Sequence, residues 1–215
     1  MFDKNLYKMY GLGMRILGYE SGISRFIDNL NLKCQNNSKI LDAGCGTGVM
    51  GLQLIKKFPE STLLATDIQE NFLHETIANA NKRGINEHRI SVGISNIATP
   101  TKVKLLDGSS VFLKRESFDI VSVGATVGYS KDQKKTIKAL LGLIKPGGYL
   151  INLEMNEKFI GKWTSSRYHY KIIHLTEMKK IIEEEGHKVF CIPLSIKYFP
   201  VNLTRVGILV RKICD

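Results

Sequence analysis

The sequence predicts an α/β fold built on a mostly parallel sheet, and three observations predict it. Short apolar runs alternate with segments of helical periodicity along the chain. One run, Phe118 to Val123, is almost wholly apolar, as expected of a strand buried on both faces. Another, Ile40-Leu41, leads straight into the glycine-rich loop Asp42-Ala43-Gly44-Cys45-Gly46-Thr47-Gly48 and then a helix.

The elements follow in order. The first 34 residues read as helical, in two pieces broken near Gly18 to Gly22, with Ile23, Phe26, Ile27 and Leu30 at helical spacing. A first strand covers Lys39 to Asp42, and the helix after the loop runs from about Val49 to Phe58, ended by Pro59. A second strand, Thr62 to Thr66, ends at Asp67; a helix from Glu70 to Arg83 stops at Gly84; a third strand covers Arg89 to Ile94. Asp107-Gly108 is a turn signal between Val103–Leu106 and Ser110–Leu113, which suggests a hairpin. The strand Phe118 to Val123 precedes a lysine-faced helix over Asp132 to Ile144, the turn Pro146-Gly147-Gly148 and a strand from Tyr149 to Glu154. A basic, aromatic segment, a helix near Thr176 to Glu185 and two strands, His187 to Ser195 and Arg205 to Arg211, complete the chain.

Length and composition fit one domain spanning 1–215, with 1–34 as an N-terminal helical cap. An apolar fraction of 43% is that of an ordinary globular protein. No apolar run approaches the roughly 20 residues of a membrane span, and no secretory leader is read at the N-terminus. Cys34, Cys45, Cys191 and Cys214 are scattered and form no Cys-x-x-Cys pair. That spacing argues against a metal site or disulfide framework and suits a cytoplasmic setting. The net charge of +11 can attract nucleic acid, an anionic membrane or an acidic substrate; a lysine-rich solvated surface is the plainer reading.

The glycine loop carries the chemistry. Glycines let the backbone turn tightly against a ligand, and the loop opens onto a helix N-terminus whose free N–H groups can hold an anion. Asp67, at the end of the second strand, can accept hydrogen bonds from two ribose hydroxyls. Gly46-Thr47-Gly48-Val49-Met50-Gly51 also spells G-x-G-x-x-G, a weak sign of a nicotinamide dinucleotide site. Two features oppose that reading. Asp42 puts a negative charge at the loop mouth, which repels a pyrophosphate and attracts a cation. The first glycine of that register also lies too far beyond the strand.

Ile-Leu-Asp-Ala-Gly-Cys-Gly-Thr-Gly at 40–48 resembles the first motif of class I S-adenosylmethionine-dependent methyltransferases. The resemblance continues at Ala65-Thr66-Asp67-Ile68, Ser117-Phe118-Asp119-Ile120-Val121 and Leu143-Ile144-Lys145-Pro146-Gly147-Gly148, in the family's order and spacing. It implies a Rossmann-like sheet of seven mostly parallel strands, helices on both faces and an antiparallel last strand. It implies S-adenosylmethionine as cofactor, with Gly44, Cys45, Gly46 and Gly48 along its methionine part and Asp42 near its amino group. Cys45 reads from its own setting as a small filler. Asp67 would bind the ribose, Ile68 would lie against the adenine, and Gly124 would lie near the sulfonium. The family's acidic residue after the third strand is replaced here by Asn96, beside Ile97; its carbonyl oxygen can take the adenine amino group, and Ser95 takes that role if the register slips by one.

The acceptor is less legible, because methyl transfer needs mainly proximity and alignment, with a base only for an acceptor that must lose a proton. Gly124-Ala125-Thr126-Val127-Gly128-Tyr129 lacks the Asn/Asp-Pro-Pro-aromatic signature of base N-methylation. A small-molecule O, N or C acceptor is therefore the leading expectation, and the basic surface allows it to be anionic. An RNA or protein acceptor is the alternative, motivated by the charge and by Lys158 to Lys171, where basic and aromatic residues interleave. Tyr129, His169 and Glu154 are the candidate catalytic residues. Tyr7, Tyr10 and Tyr19 on the N-terminal helices are candidates to cap the cofactor, and Lys4, Lys8 and Arg15 permit a membrane-surface role.

Overall fold

The computed structural model describes residues 18–34 and 37–213. The first of the two N-terminal helices, with Tyr7 and Tyr10, lies outside the described residues, as does Cys214. The helices are α1 (Tyr19–Asn29), α2 (Val49–Lys57), α3 (Glu70–Lys82), α4 (Gln133–Leu143), α5 (Phe159–Arg167), α6 (Leu175–Glu184) and α7 (Val201–Thr204). The strands are β1 (Lys39–Ala43), β2 (Thr62–Asp67), β3 (Ile90–Ile94), β4 (Lys102–Leu105), β5 (Ser110–Phe112), β6 (Phe118–Gly124), β7 (Ile144–Met155), β8 (Lys188–Ile192) and β9 (Arg205–Arg211).

The strands form one sheet in the order β5-β4-β3-β2-β1-β6-β7-β9-β8. Strands β3, β2, β1, β6 and β7 run parallel, and β9 runs antiparallel to both neighbours. The expected antiparallel last strand is present. The sheet has nine strands rather than the seven expected. The hairpin at Asp107-Gly108 does not stand apart: β4 pairs antiparallel with β3, so β4 and β5 extend that edge. An edge strand offers unpaired N–H and C=O groups, and a hairpin is a ready means of covering them.

Side-chain alternation along the central strands builds two cores. Ile40, Ile120 and Ile151 point to the face covered by α1, α2 and α3, where Phe26, Ile27, Leu54 and Leu73 meet them. Leu41, Val121 and Leu150 point to the other face, against Ile137 and Leu140 of α4 and Ile181 and Ile182 of α6. Burial of both faces explains why Phe118 to Val123 reads as a continuous apolar run. Each such side chain, fully buried, contributes about 1.5–3 kcal/mol.

Two local readings differ from the structure. The helix break is confined, on the described side, to Gly18 in the left-handed region, and α1 continues through Gly22. A Cβ on Gly22 would lie 2.6 Å from Val201 Cγ2 and 2.8 Å from the Tyr198 carbonyl oxygen, so this glycine serves close packing. The Pro146-Gly147-Gly148 segment lies inside β7 as an irregularity, where pairing with β6 steps from Phe118–Ile144 to Ile120–Tyr149. Its freed backbone groups bond to Lys212: Gly147 N–H donates to the Lys212 carbonyl at 3.0 Å, and Lys212 N–H donates to that of Gly148 at 2.9 Å. Where α1 ends, Lys57 Nζ of α2 donates to the carbonyls of Ile27, Asp28 and Leu30, satisfying helix-end acceptors that would otherwise be orphaned.

Candidate functional site

The C-terminal ends of β1, β2, β3, β6 and β7 meet at one edge, where an open parallel sheet places its ligand crevice. Register decides what stands there. Asp42 of β1 is paired with Ser122 of β6. Its Oδ1 accepts from Ser122 Oγ at 2.7 Å, and its Oδ2 accepts from Gly51 N–H at 2.9 Å, in the first turn of α2. Only 1% of Asp42 is exposed, and burial pushes its carboxyl up to about 6 against the lowering effect of those two bonds. Ser122 is not singled out by the sequence analysis; a small polar residue inside an otherwise largely apolar strand marks it only weakly.

The loop between β1 and α2 turns on Gly44, Gly46 and Gly48, all with positive φ. At Gly44 (φ +71) a Cβ would lie 2.3 Å from Thr126 Cγ2, so the loop packs tightly on the segment after β6. At Gly46 (φ +53) nothing lies within 4 Å of that position, so the backbone faces open space. Gly46 N–H donates to Asp67 Oδ2 at 3.0 Å, and Gln69 N–H donates to Asp67 Oδ1 at 3.0 Å. The Asp67 carboxyl is likewise pushed up, by burial first. Cys45 turns inward: its Sγ lies 3.7 Å from Thr76 Oγ1, and burial holds its thiol well above the ordinary range, which fits a filler and not a nucleophile.

Beyond β3, Ser95 N–H donates to the Asp67 carbonyl at 3.0 Å, and Ser95 Oγ is buried with no hydrogen-bond partner among the described residues. Asn96 is exposed and spends its Oδ1 on Ala98 N–H at 2.9 Å. Ile97 packs, partly buried, against the core over α4 and α6, whereas Ile68 is 60% exposed at the crevice. Beyond β6, Gly124 approaches Met50 Sδ, and Ala125 holds φ +45, a region non-glycine residues seldom occupy. Thr126 Oγ1 donates to the carbonyls of Gly44 and Gly124, at 3.3 and 3.0 Å, tying the two loops together.

Two of the three catalytic candidates come together through a residue the sequence reading did not single out. Tyr170, which follows α5, is buried; its hydroxyl bonds to Glu154 Oε1, and its ring meets Tyr129 edge-on with centroids 5.1 Å apart. Glu154, on β7, is 1% exposed and also accepts from Met155 N–H at 2.7 Å and Asn152 Nδ2 at 3.3 Å. Burial raises both its carboxyl and the Tyr170 phenol. Gly128 makes this possible, since a Cβ there would lie 2.4 Å from Tyr170 Cζ. Tyr129 is 52% exposed. His169 is exposed, at φ +53 after α5, and does not join this group.

The residues at the strand ends fit a nucleoside-bearing cofactor with a cationic end. The observations are an open glycine cradle at Gly46, two buried carboxylates flanking it, and an orphaned hydroxyl on Ser95 one strand further on. Sheet order, loop and carboxylates thus define a doubly wound α/β protein with a crevice at its topological switch point. Comparison with known proteins narrows the class. Residues 35–191 match the family model described as a methyltransferase domain, and the chain belongs to that family. It is 22% identical over 187 residues to malonyl-[acyl-carrier protein] O-methyltransferase 2 of Ilyobacter polytropus, covering 83% of this chain and 64% of that protein. It is 24% identical over 182 residues to the demethylmenaquinone methyltransferase of Bacteroides fragilis, covering 84% of this chain and 69% of that one. The structure of an O-methyltransferase family protein from Burkholderia thailandensis superimposes with a TM-score of 0.76 at 15% identity, over 99% of this chain and 61% of that one. The chain therefore spans under two thirds of the first of these relatives. Among the described residues, no helix is long and apolar enough to cross a membrane.

Proposed function

We infer that this protein transfers the methyl group of S-adenosylmethionine to an O, N or C atom of a small molecule, as a single domain in the cytoplasm, with residues 1–34 as a cap. The observation that carries the reading is the pair of buried carboxylates, Asp42 and Asp67, on either side of a glycine backbone that faces open space at Gly46. The cofactor, when bound, supplies a methyl group on a sulfonium that leaves readily. Asp67 holds the ribose hydroxyls. The charge of Asp42 favours the cationic end of the cofactor. Ser95, with its hydroxyl already buried and unpaired, is better placed than the exposed Asn96 to meet the adenine amino group. Ile68 lies against the base, Ile97 lines its pocket from the core side, and Gly124, close to Met50, lies near the sulfonium.

On the acceptor side, Tyr129 stands at the pocket mouth and Glu154 takes a proton when the acceptor must lose one. A carboxyl held above its ordinary range suits that task better than a fully acidic one. His169 is the weakest of the three candidates, because it is exposed and outside the Tyr129–Tyr170–Glu154 group.

A second reading, an RNA acceptor, is supported by α5, where Phe159 and Trp163 are exposed beside Lys158 and Lys162. Incubation of the full chain with methyl-labelled S-adenosylmethionine and a fractionated cell extract decides between them. Label is expected in the small-molecule fraction; label in RNA or protein overturns the first reading. Asp67→Ala is expected to weaken cofactor binding about tenfold to a hundredfold, because a carboxylate with two donors is lost. Unchanged affinity removes the ribose assignment.

A further inference from the structure

A cavity of about 370 Å³ opens at the end of β7, between the start of α5, α6, the segment after β8, α7 and β9. Residues 44–48 do not line it. Small-molecule sites span about 300–1,000 Å³, so its size suits a small molecule. Most of its wall is apolar, from Met155, Ile173, Met178, Leu194, Val206 and Ile208.

Polar side chains break that wall, and two of them, Arg205 and Asn202, are incomplete. Arg205 Nη1 and Asn202 Oδ1 are buried without a hydrogen-bond partner among the described residues. A guanidinium keeps its charge at any ordinary pH, and a buried N–H without an acceptor is costly. Glu154, also in the wall, feels the Arg205 charge, which favours its ionised form, but no hydrogen bond joins the two. Its oxygens are spent on Tyr170, Met155 N–H and Asn152, and burial makes it hold a proton more readily than a free carboxyl would. At the rim, Glu157 is engaged by His174, while Lys158 adds a second cation.

We propose that this cavity seats an apolar molecule bearing a carboxylate, with the carboxylate on Arg205 and a hydroxyl or amine hydrogen donated to Asn202 Oδ1. Arg is the residue suited to this, since its planar fork can hold a carboxylate by two parallel bonds. The proposal rests on the transferase reading in one respect: it names the class of the acceptor. Glu154 supplies the link, lining the cavity and reaching Tyr129 at the cofactor crevice through Tyr170.

The test is calorimetric titration of the full chain with decanoate, 2-naphthoate, decanol and decylamine, with S-adenosylmethionine titrated separately. Both carboxylates are expected to bind at least about tenfold more tightly than decanol, and decylamine no better than decanol. Arg205→Met should bring decanoate to the level of decanol. Arg205→Lys, which keeps the charge and loses the fork, should fall between. Thermal unfolding reports whether each variant folds; if Arg205→Met does not, the lysine variant and the decanoate–decanol difference on the natural chain still decide. Equal affinity for decanoate and decanol, no binding of either carboxylate, or an unaltered Arg205→Lys overturns the proposal. Cofactor binding without carboxylate discrimination removes the cavity assignment and leaves the transferase reading. Carboxylate discrimination without cofactor binding does the reverse.

Discussion

Asp42 and Glu154 occupy equivalent places in the two halves of the sheet. Each ends a parallel strand, each is 1% exposed, and burial raises each carboxyl. Their supports differ. Asp42 is held by the strand beside it, through Ser122, and by the first turn of the helix that follows it, through Gly51. Both partners come with the strand–loop–helix unit and the β1–β6 register. Glu154 is held within its own strand by Met155 N–H and Asn152, and from outside the sheet by Tyr170, which arrives on a connection after α5. The half around Asp42 is thus fixed by the sheet and its first loop and helix, and the half around Glu154 depends also on a segment from outside the sheet. Under the proposed function, a site built this way can keep one methyl donor and change its acceptor by altering connections alone.

The strongest way to break the half that contains Asp42 is Gly44→Val. Positive φ and a Cβ 2.3 Å from Thr126 Cγ2 together should cost about 3–5 kcal/mol in urea unfolding and abolish cofactor binding. A loss under about 1 kcal/mol would mean that the loop and the Thr126 segment yield freely.

Next in size is the pH dependence set by Asp42. Its carboxyl is raised in the folded state from 3.8 to about 6, so the folded form holds the proton more tightly than the unfolded chain does. Its contribution is therefore fully present below about pH 3.8 and lost as pH rises through about 6, a change of roughly 3 kcal/mol. Asp67 shifts in the same direction. Denaturant unfolding of the chain and of Asp42→Asn, across pH 4 to 7, should show this fall in the first and a smaller one in the second. Parallel curves would refute the assignment.

The half that contains Glu154 is probed by Tyr170→Phe. Loss of the hydroxyl leaves Glu154 one donor short and should cost about 1–3 kcal/mol. Because that bond favours the ionised carboxylate, its removal raises the Glu154 carboxyl further. The cost should therefore be greater at pH 8 than at pH 4. A cost independent of pH would show that Tyr170 acts by packing only.

The smallest effect is expected from His169→Gly. An exposed residue at φ +53 loses strain on becoming glycine, so stability should stay constant or rise by about 0.5 kcal/mol, with turnover retained. A large loss of turnover would place His169 in the chemistry after all.

The half around Asp42 is legible in the sequence because its determinants lie close along the chain. Asp42, the glycines and the start of α2 follow one another within ten residues, and Asp67 ends the next strand. Ser122 was not legible, because it takes a β1–β6 register to bring it to Asp42 across 80 residues. Tyr170 lay inside a segment marked as basic and aromatic, yet nothing local distinguishes it from Tyr168. The number of strands was misjudged for a related reason. The hairpin could be read from Asp107-Gly108, but its attachment to β3 depends on two backbone pairings that no local pattern announces.

By itself, then, the sequence determined the α/β alternation, the loop that turns on Gly44, Gly46 and Gly48, and the carboxylate at Asp67, since periodicity and glycine conformation act over a few residues. Only the tertiary structure decided that the sheet has nine strands, that Asp42 is shared between Ser122 and Gly51, that Glu154 meets Tyr170, and that Arg205 and Asn202 face a cavity with bonds unmade. Those are contacts between residues far apart in the chain, and burial, which sets both their strength and their proton affinities, exists only once the layers have closed.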